Sequence, residues 1–391
     1  RPPGRLWVQA PLARRGLVQA PSGGPPLSGH PLSGNDMLRF IAERSQQPLE
    51  KYSLDDLLML QQLAPEERLR HLDEVLQVGI SKIILLLQDL PLGCGSLGPI
   101  REVIQDYVAD LRDLSVCSAD DAAQFRECIL TIFGRHRGML GQIARGLADF
   151  HQEVTTNFEP AAGLEMTGLS DCEGVPAVRQ IERTLDDFFT IRTTLRLLIA
   201  HCLQLNPEDR PGELGFAMHE LLQRIPDSLR AEAAGGGVRH VGAICLDTRP
   251  ALIMIEAYRH AHFMCKRQYS RASALFVNGM PAKDFLASGY DDNYDSRFPY
   301  VDIHLYFIFF EVLKNALMTS IRRAGPGNEP PPIHASMISG TSLMTENERT
   351  VKITDNGEGI TRENVRKVWS YFHSTVREQA VQPPSSGGPL E

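Results

Sequence analysis

The sequence predicts an α + α/β protein, with an antiparallel helical bundle followed by an α/β sandwich domain. Three observations carry this prediction. Apolar residues recur at three- and four-residue spacing through most of residues 36–230, which is typical of packed helices. The glycine-rich stretch 231–237 (AEAAGGG) then reads as a linker. Beyond it, short alternating segments are mixed with helical ones, which favours helices packed on a sheet.

Composition excludes several broad classes. The 391 residues carry a net charge of −8, which disfavours a general nucleic-acid binder. No apolar run approaches the roughly 18 residues of a membrane span. The seven cysteines include no C-x-x-C pair, so we expect neither a disulfide framework nor a zinc site, and we expect a reducing compartment.

The first 35 residues differ in composition from the rest. They contain four arginines and several serines but no acidic residue, since Asp36 is the first acid in the chain. Organelle transit peptides have this composition, and so do disordered Pro/Gly tails. Both interpretations of residues 1–35 stay open from composition alone.

The bundle is predicted to contain four long helical segments. Proline is tolerated in the first turn of a helix and marks where a segment begins. Pro/Gly clusters and an Asn-Pro pair mark where segments end. The third segment is expected to break or soften near Gly134 and Gly138. The predicted segments are 65–90, 99–114, 119–158 and 176–205.

The second part alternates helices and strands. Helices are predicted over about 251–269 and 303–323, with a strand near 274–277. Residues 333–338 and 350–354 are predicted to pair as a hairpin across a polar loop.

Polar residues interrupt the apolar helix 304–325. Glu311, Lys314 and Asn315 lie three or four residues apart, so they share one side of the helix. Taken alone, this is the solvated face of an amphipathic helix more often than a site. The predicted hairpin, however, ends in Asp355 followed by Gly357 and a second glycine, Gly359.

Together these residue types suit a nucleotide with a divalent ion. A side-chain amide oxygen can ligate Mg²⁺, and a lysine can neutralise phosphate charge. An aspartate can accept a hydrogen bond from an adenine amino group, and glycines let the backbone approach the base and the sugar. A glutamate beside the metal can act as a general base toward an alcohol or water.

The chain resembles a known superfamily at these positions. Residues 311–316 (EVLKNA) resemble the N box, and 355–359 (DNGEG) the first glycine box, of Bergerat-fold ATP-binding proteins. Within that superfamily the chain most resembles the mitochondrial kinases of pyruvate and branched-chain ketoacid dehydrogenase complexes. That closer resemblance also rests on segments 185–198, 300–306 and 371–375.

The resemblance covers roughly residues 37–375 and implies a role for each matched position. The fold it implies is a helical bundle over 36–230 and a Bergerat-type ATP-binding domain over 238–375. The implied roles are a catalytic base for Glu311, phosphate contact for Lys314, Mg²⁺ ligation for Asn315, adenine binding for Asp355, a shaped adenine pocket for Gly357 and Gly359, and the start of a nucleotide lid for Ser374 and Thr375.

The resemblance also implies a setting. The protein would use Mg-ATP to phosphorylate a serine of the E1 component of a 2-oxoacid dehydrogenase complex in the mitochondrial matrix, with the pyruvate complex favoured as the substrate. Its bundle would dock the lipoyl domain of that complex, and the full-length protein would form a homodimer. His136, Arg192 and Arg196 would line a pocket for a small regulatory acid, although ordinary interhelical packing accounts for them equally well.

The sequence departs from the family pattern at four places. Met318 stands where the family usually has arginine, with Arg322 and Arg323 one turn on as weak substitutes. Phe307 stands where pyruvate dehydrogenase kinases have histidine. The second glycine box is absent, and the composition changes abruptly over 376–391, so we expect an aberrant or disordered tail and an ATP domain that is incomplete.

These departures leave two other functions open. One is a lidless scaffold that binds the complex through its bundle without catalysis. The other is a histidine kinase or ATPase of the same superfamily, with His136 as the phosphate acceptor.

Overall fold

The computed structural model describes residues 34–157, 176–205, 240–287, 297–339 and 349–372. These residues form two units. The first contains the described residues up to 205 together with 362–372, and the second contains 240–361. The predicted leader (apart from its last two residues), the linker 231–237 and the tail 376–391 lie outside the described residues, and the predicted domain boundaries stay a prediction.

The first unit is helical, as predicted. Its helices start where the local sequence satisfies free backbone N–H groups: Ser53 forms a capping box with Asp56, and Asp121 caps α5 by accepting from the Gln124 N–H. Pro65 occupies the first turn of α3, where a missing N–H is tolerated. The helices are α1 (Gly34–Ser45), α2 (Leu54–Met59), α3 (Pro65–Gln88), α4 (Gly98–Val116), α5 (Ala122–Arg135), α6 (Met139–Asn157) and α7 (Pro176–Gln204).

Two glycines shape this bundle. The expected break in the third predicted helix is confirmed, because α5 and α6 are separate helices joined at Gly138, whose φ is +71°. Gly79 on α3 lies against α7, where an added Cβ would be 2.8 Å from a methyl carbon of Leu195. The absence of a side chain at Gly79 therefore sets the close approach of α3 and α7.

The second unit mixes two small sheets with helices, in agreement with the predicted α/β class. Its helices are α8 (Pro250–Tyr269), α9 (Ala282–Ala287) and α10 (Asp302–Ala324); a short α11 (Arg362–Lys367) belongs to the first unit. The strands are β1 (His240–Val241), β2 (Ile244–Thr248), β3 (Leu275–Val277), β4 (Met280–Pro281), β5 (Phe298–Tyr300), β6 (Ile333–Ser339) and β7 (Arg349–Thr354).

The strands of the second unit form two sheets, and β7 is at one edge of the larger sheet, which packs on α8 and α10. One sheet has the order β1-β2-β5, and the other has the order β4-β3-β6-β7. The predicted hairpin is confirmed: β6 and β7 pair antiparallel, from His334 opposite Thr354 to Ser339 opposite Arg349. Strands β3 and β6 are parallel. Helices α8 and α10 share one apolar core with β3 and β6, whereas a Bergerat-type arrangement of these elements stays a prediction.

Two expectations about composition can be compared with the described residues. No helix among them is both long enough and apolar enough to cross a membrane. The six cysteines in these ranges are all free thiols.

Candidate functional site

One row of polar side chains runs along α10. Glu311, Asn315, Thr319 and Arg323 follow one another at intervals of four residues, so they lie one above another, about 6 Å apart along the axis. The opposite face of α10 is buried in the core. Its buried side chains include Phe309, Phe310, Leu313, Leu317 and Ile321.

Glu311 is held from one side only. Lys314 Nζ donates to Glu311 Oε2 at 2.6 Å and lies 5.4 Å from the centre of the Phe310 ring. Although 42% of the Glu311 side chain is exposed, its Oε1 is buried and has no hydrogen-bond partner among the described residues. One carboxylate oxygen is therefore held by a cation while the other keeps its full capacity to accept a proton.

The glycine loop begins directly after β7 and folds back on itself. Asp355 Oδ1 accepts a hydrogen bond from the Gly357 N–H at 2.7 Å, which forms a tight aspartate turn and leaves Oδ2 for another donor. Gly359 has a φ of +74°, a conformation that favours glycine. Gly359 thus has a local reason to be glycine.

The same loop contacts the polar row on α10. A Cβ added at Gly357 would lie 2.7 Å from Thr319 Oγ1, and Arg323 Nη1 donates to the Gly357 carbonyl at 2.9 Å. The loop therefore lies against the second half of α10. Glu311 and Asn315 occupy the first half, and the row from Glu311 to Arg323 spans about 18 Å.

The sequence interpretation missed Thr319 and named Arg323 only as a weak substitute for a missing arginine. The available signal was their spacing, because each follows Asn315 by a multiple of four residues. Arg322 and Arg323 are both exposed, and Arg323 donates a hydrogen bond to the glycine loop. Met318 and Phe307 pack against the apolar core.

The predicted lid residues Ser374 and Thr375 lie outside the described residues. The residues just before them contact the helical unit. Tyr371 OH donates to Asp186 Oδ1 at 2.9 Å, and its ring stacks on Phe189 with 5.6 Å between ring centres. The end of the described chain is thus anchored on α7.

A second polar cluster lies inside the bundle, around a carboxylate that the sequence interpretation missed. Asp110 on α4 is fully buried and accepts hydrogen bonds from Arg135 and from His136 Nε2, the latter at 2.6 Å. Arg135 also pairs with Asp113. We attribute the miss to Asp110 lying within the apolar pattern of its helix, 25 residues from Arg135.

The structure brings His136, Arg192 and Arg196 together near this carboxylate. Arg192 Nη1 lies 3.5 Å from His136 Nδ1 and 3.4 Å from Tyr107 OH. The Arg196 guanidinium lies over the Phe133 ring, 4.3 Å from its centre. Burial, reinforced by the charge of Arg192, lowers the pKa of Arg196 to about 10, so this side chain stays charged at neutral pH.

The cavity at this trio is small and mostly apolar. It measures about 20 Å³, room for about one water. Both ring nitrogens of His136 are engaged, and its side chain is 9% exposed. This geometry disfavours His136 as a phosphate acceptor.

Comparison with known proteins supplies an independent result. Residues 51–245 match the model of the mitochondrial branched-chain alpha-ketoacid dehydrogenase kinase family. The Arabidopsis thaliana mitochondrial pyruvate dehydrogenase kinase is 22% identical over 345 residues, covering 87% of this chain and 74% of the relative. The chain belongs to the family of mitochondrial pyruvate and branched-chain ketoacid dehydrogenase kinases.

Other relatives in this family are covered less fully. The Drosophila melanogaster pyruvate dehydrogenase kinase is 26% identical over 316 residues, covering 78% of this chain and 62% of the relative. The rat isozyme 1 is 23% identical over 307 residues, covering 78% of this chain and 58% of the relative. The chain therefore spans less than two thirds of several curated relatives.

Proposed function

We propose that this chain is a mitochondrial protein serine kinase that uses Mg-ATP to phosphorylate the E1 component of a 2-oxoacid dehydrogenase complex in the matrix, with the pyruvate complex as the favoured substrate. Family membership and the names of the relatives support the class of reaction. The observation that carries the proposal is the polar row on α10, with an unpaired glutamate oxygen at one end and the glycine loop at the other.

The residues present fit Mg-ATP. Mg²⁺ prefers hard oxygen ligands, and the exposed Asn315 amide offers one beside Glu311. Asp355 Oδ2 is left to accept from the adenine amino group, because Oδ1 already accepts from Gly357. Asn315 would therefore hold the metal, Asp355 would hold the base, and Gly357 and Gly359 would shape the pocket.

The chemistry divides between the nucleotide and the protein. When bound, Mg-ATP supplies the phosphoryl group and neutralises charge on it. Glu311 Oε1 would accept the proton of the substrate serine hydroxyl. Lys314 holds the other carboxylate oxygen, and a turn of the side chain about this contact would bring the buried Oε1 to the substrate. Because Phe307 stands where pyruvate dehydrogenase kinases have histidine, Glu311 cannot pair with a histidine there. Its basicity would then depend on its own surroundings.

The bundle is proposed to provide docking and regulation. It would bind the lipoyl domain of the complex, and the full-length protein would form a homodimer. His136, Arg192 and Arg196 are proposed to attract a small carboxylic acid. Since the cavity of about 20 Å³ holds about one water, such an acid would have to open the helices around it.

Calorimetric titration of the full chain with Mg-ADP tests the nucleotide site. We expect binding that weakens at least about tenfold in Asp355→Asn and in Asn315→Ala, since each removes a charged or polar contact of the nucleotide. Asp284→Asn, an exposed carboxylate on α9, is the matched control and should bind like wild type.

A non-catalytic scaffold predicts a different result. Wild-type chain that binds no Mg-ADP, or Asp355→Asn that binds it as tightly as wild type, would contradict the proposed site.

A further inference from the structure

A group of three potential metal ligands lies in the second unit, outside the proposed nucleotide site. His240 on β1 is directly opposite Cys245 on β2, so both side chains project from the same face of the hairpin. Asp302, the first residue of α10, approaches them from the helix side. One donor atom from each residue lies within 4.8 Å of the others.

The His240–Asp302 distance suits a tetrahedral ion, and the Cys245 thiol lies within 4.8 Å of both donor atoms. Bonds of about 2.0–2.3 Å to nitrogen, oxygen and sulfur place the ligands of a tetrahedral Zn²⁺ about 3.3–3.8 Å apart. His240 Nε2 and Asp302 Oδ2 are 3.4 Å apart. The Cys245 thiol is buried, whereas 39% of the His240 side chain and 34% of the Asp302 side chain are exposed. The three residues would thus supply three ligands and leave the fourth coordination position open to solvent.

The carboxylate of this group is held in place by the backbone of α10. Asp302 Oδ1 accepts from the Ile303 N–H at 2.8 Å, and this contact orients the carboxylate. Outer contacts of this kind fix the ligands of metal sites.

We propose that His240, Cys245 and Asp302 bind one zinc ion, with water at the fourth position. Thiolate and imidazole ligands select zinc over magnesium, so this site would be distinct in chemistry from the Mg²⁺ site at Asn315. A thiolate and a carboxylate neutralise Zn²⁺, which matters because the amino end of α10 disfavours an uncompensated cation. The ion would join the β1–β2 hairpin to the first turn of α10.

This site does not depend on the proposed kinase activity. The sequence argued against zinc because no cysteines are paired at metal-ligand spacing. Only strand pairing brings His240 and Cys245 together, and Asp302 lies 57 residues beyond Cys245.

Metal titration of the full chain, stripped with a chelator, tests the proposal. We expect one tightly bound Zn²⁺ in competition with a chromophoric chelator. Because loss of an outer-shell partner already costs about 10–100-fold in metal affinity, loss of a direct ligand in Cys245→Ser or Asp302→Asn should cost at least about 100-fold. Cys265→Ser removes another buried thiol of the same unit and should bind zinc like wild type.

Cobalt identifies the ligands. With Co²⁺ as the probe, wild type and Cys265→Ser should give a thiolate-to-cobalt charge-transfer band, which Cys245→Ser should lack. Circular dichroism checks that each variant is folded, and Asp302→Asn, with its partly exposed side chain, remains informative should Cys245→Ser unfold. Zinc affinity unchanged in Asp302→Asn, a persistent band in Cys245→Ser, or no tight zinc in wild type would overturn the site and leave a hydrogen-bonded His–Asp pair.

Discussion

The two polar clusters of this protein are paired to very different degrees. Inside the bundle, the fully buried Asp110 accepts from both Arg135 and His136, and His136 also meets Arg192. On α10, Glu311 Oε1 has no hydrogen-bond partner among the described residues, and Asn315 is exposed. The charged side chains of the bundle cluster pair with one another, whereas the row on α10 leaves hydrogen-bond acceptors for a ligand.

The difference follows from burial. A carboxylate taken fully out of water is costly unless cations and donors surround it, so Asp110 requires its partners. Glu311 on α10 lies at the edge of its core with 42% of its side chain exposed, so leaving its buried Oε1 unpaired costs less than it would in a fully buried carboxylate. We therefore propose that the bundle cluster stabilises the fold and that the α10 row is a binding surface.

The largest expected effect comes from removing the buried carboxylate of the bundle cluster. Asp110→Asn leaves Arg135 and His136 without their buried anion, which should lower the local free energy of unfolding by about 3–5 kcal/mol. Hydrogen exchange of the α4 and α5 amides measures this loss separately from the second unit. Asp113→Asn is the control, because that side chain is 38% exposed and should cost no more than about 1 kcal/mol. Equal losses in the two variants would mean that burial does not distinguish them.

A smaller effect is expected where the glycine loop meets α10. Gly357→Ala places a Cβ 2.7 Å from Thr319 Oγ1, and such overpacking costs about 1–3 kcal/mol. We expect Mg-ADP affinity to fall by about tenfold or more, measured by calorimetry. Gly327→Ala, at an open glycine with a φ of +79°, should change stability but not affinity. Unchanged affinity in Gly357→Ala would separate the loop from the nucleotide site.

The two neighbouring arginines test the same contact between α10 and the glycine loop. Arg323→Ala removes the hydrogen bond to the Gly357 carbonyl, which is worth about 0.5–1.5 kcal/mol. Mg-ADP binding should weaken several-fold, whereas Arg322→Ala should leave it unchanged because, of these two exposed arginines, Arg323 is the one that donates to the Gly357 carbonyl. The reverse order of the two effects would show that the loop is held in another way.

The smallest effect concerns a neutral buried group in the bundle. His201 is fully buried, its Nε2 lies 2.8 Å from the Leu57 carbonyl oxygen, and burial lowers its pKa. Its contribution to the free energy of unfolding is therefore present above the unfolded pKa of about 6.5 and is lost as the pH falls below that value. His201→Gln should show a shallower loss of melting temperature between pH 7 and pH 5 than wild type. Parallel curves would assign the acid sensitivity to other groups.

Local pattern was enough to predict much of this molecule. Apolar periodicity predicted the bundle helices and α10, glycine predicted the break before α6, and strand alternation followed by a turn predicted the β6–β7 hairpin. The grouping of His136 with Arg192 and Arg196 was also predicted, because the facing turns of two helices can bring such residues together.

The remaining features depend on long-range pairing. Asp110 is buried by helix packing that no local pattern reveals, and His240 meets Asp302 only through the sheet. Val312 has a residue type typical of an apolar helix face, yet it is 43% exposed because the core contacts a narrower stripe of α10. Burial of this kind is decided by neighbouring elements rather than by the residue.

The most direct test of the proposed active row is phosphoryl transfer by Glu311→Gln. The variant keeps the shape of the side chain but removes the proton acceptor, so transfer from Mg-ATP to an E1 serine should fall by about 10²–10⁴-fold. Its Mg-ADP affinity should stay within about threefold of wild type, because Asn315 and Asp355 are untouched. Acid-stable phosphoserine formed on E1 at the wild-type rate would contradict the role of Glu311 and, with it, the interpretation of α10 as the catalytic helix.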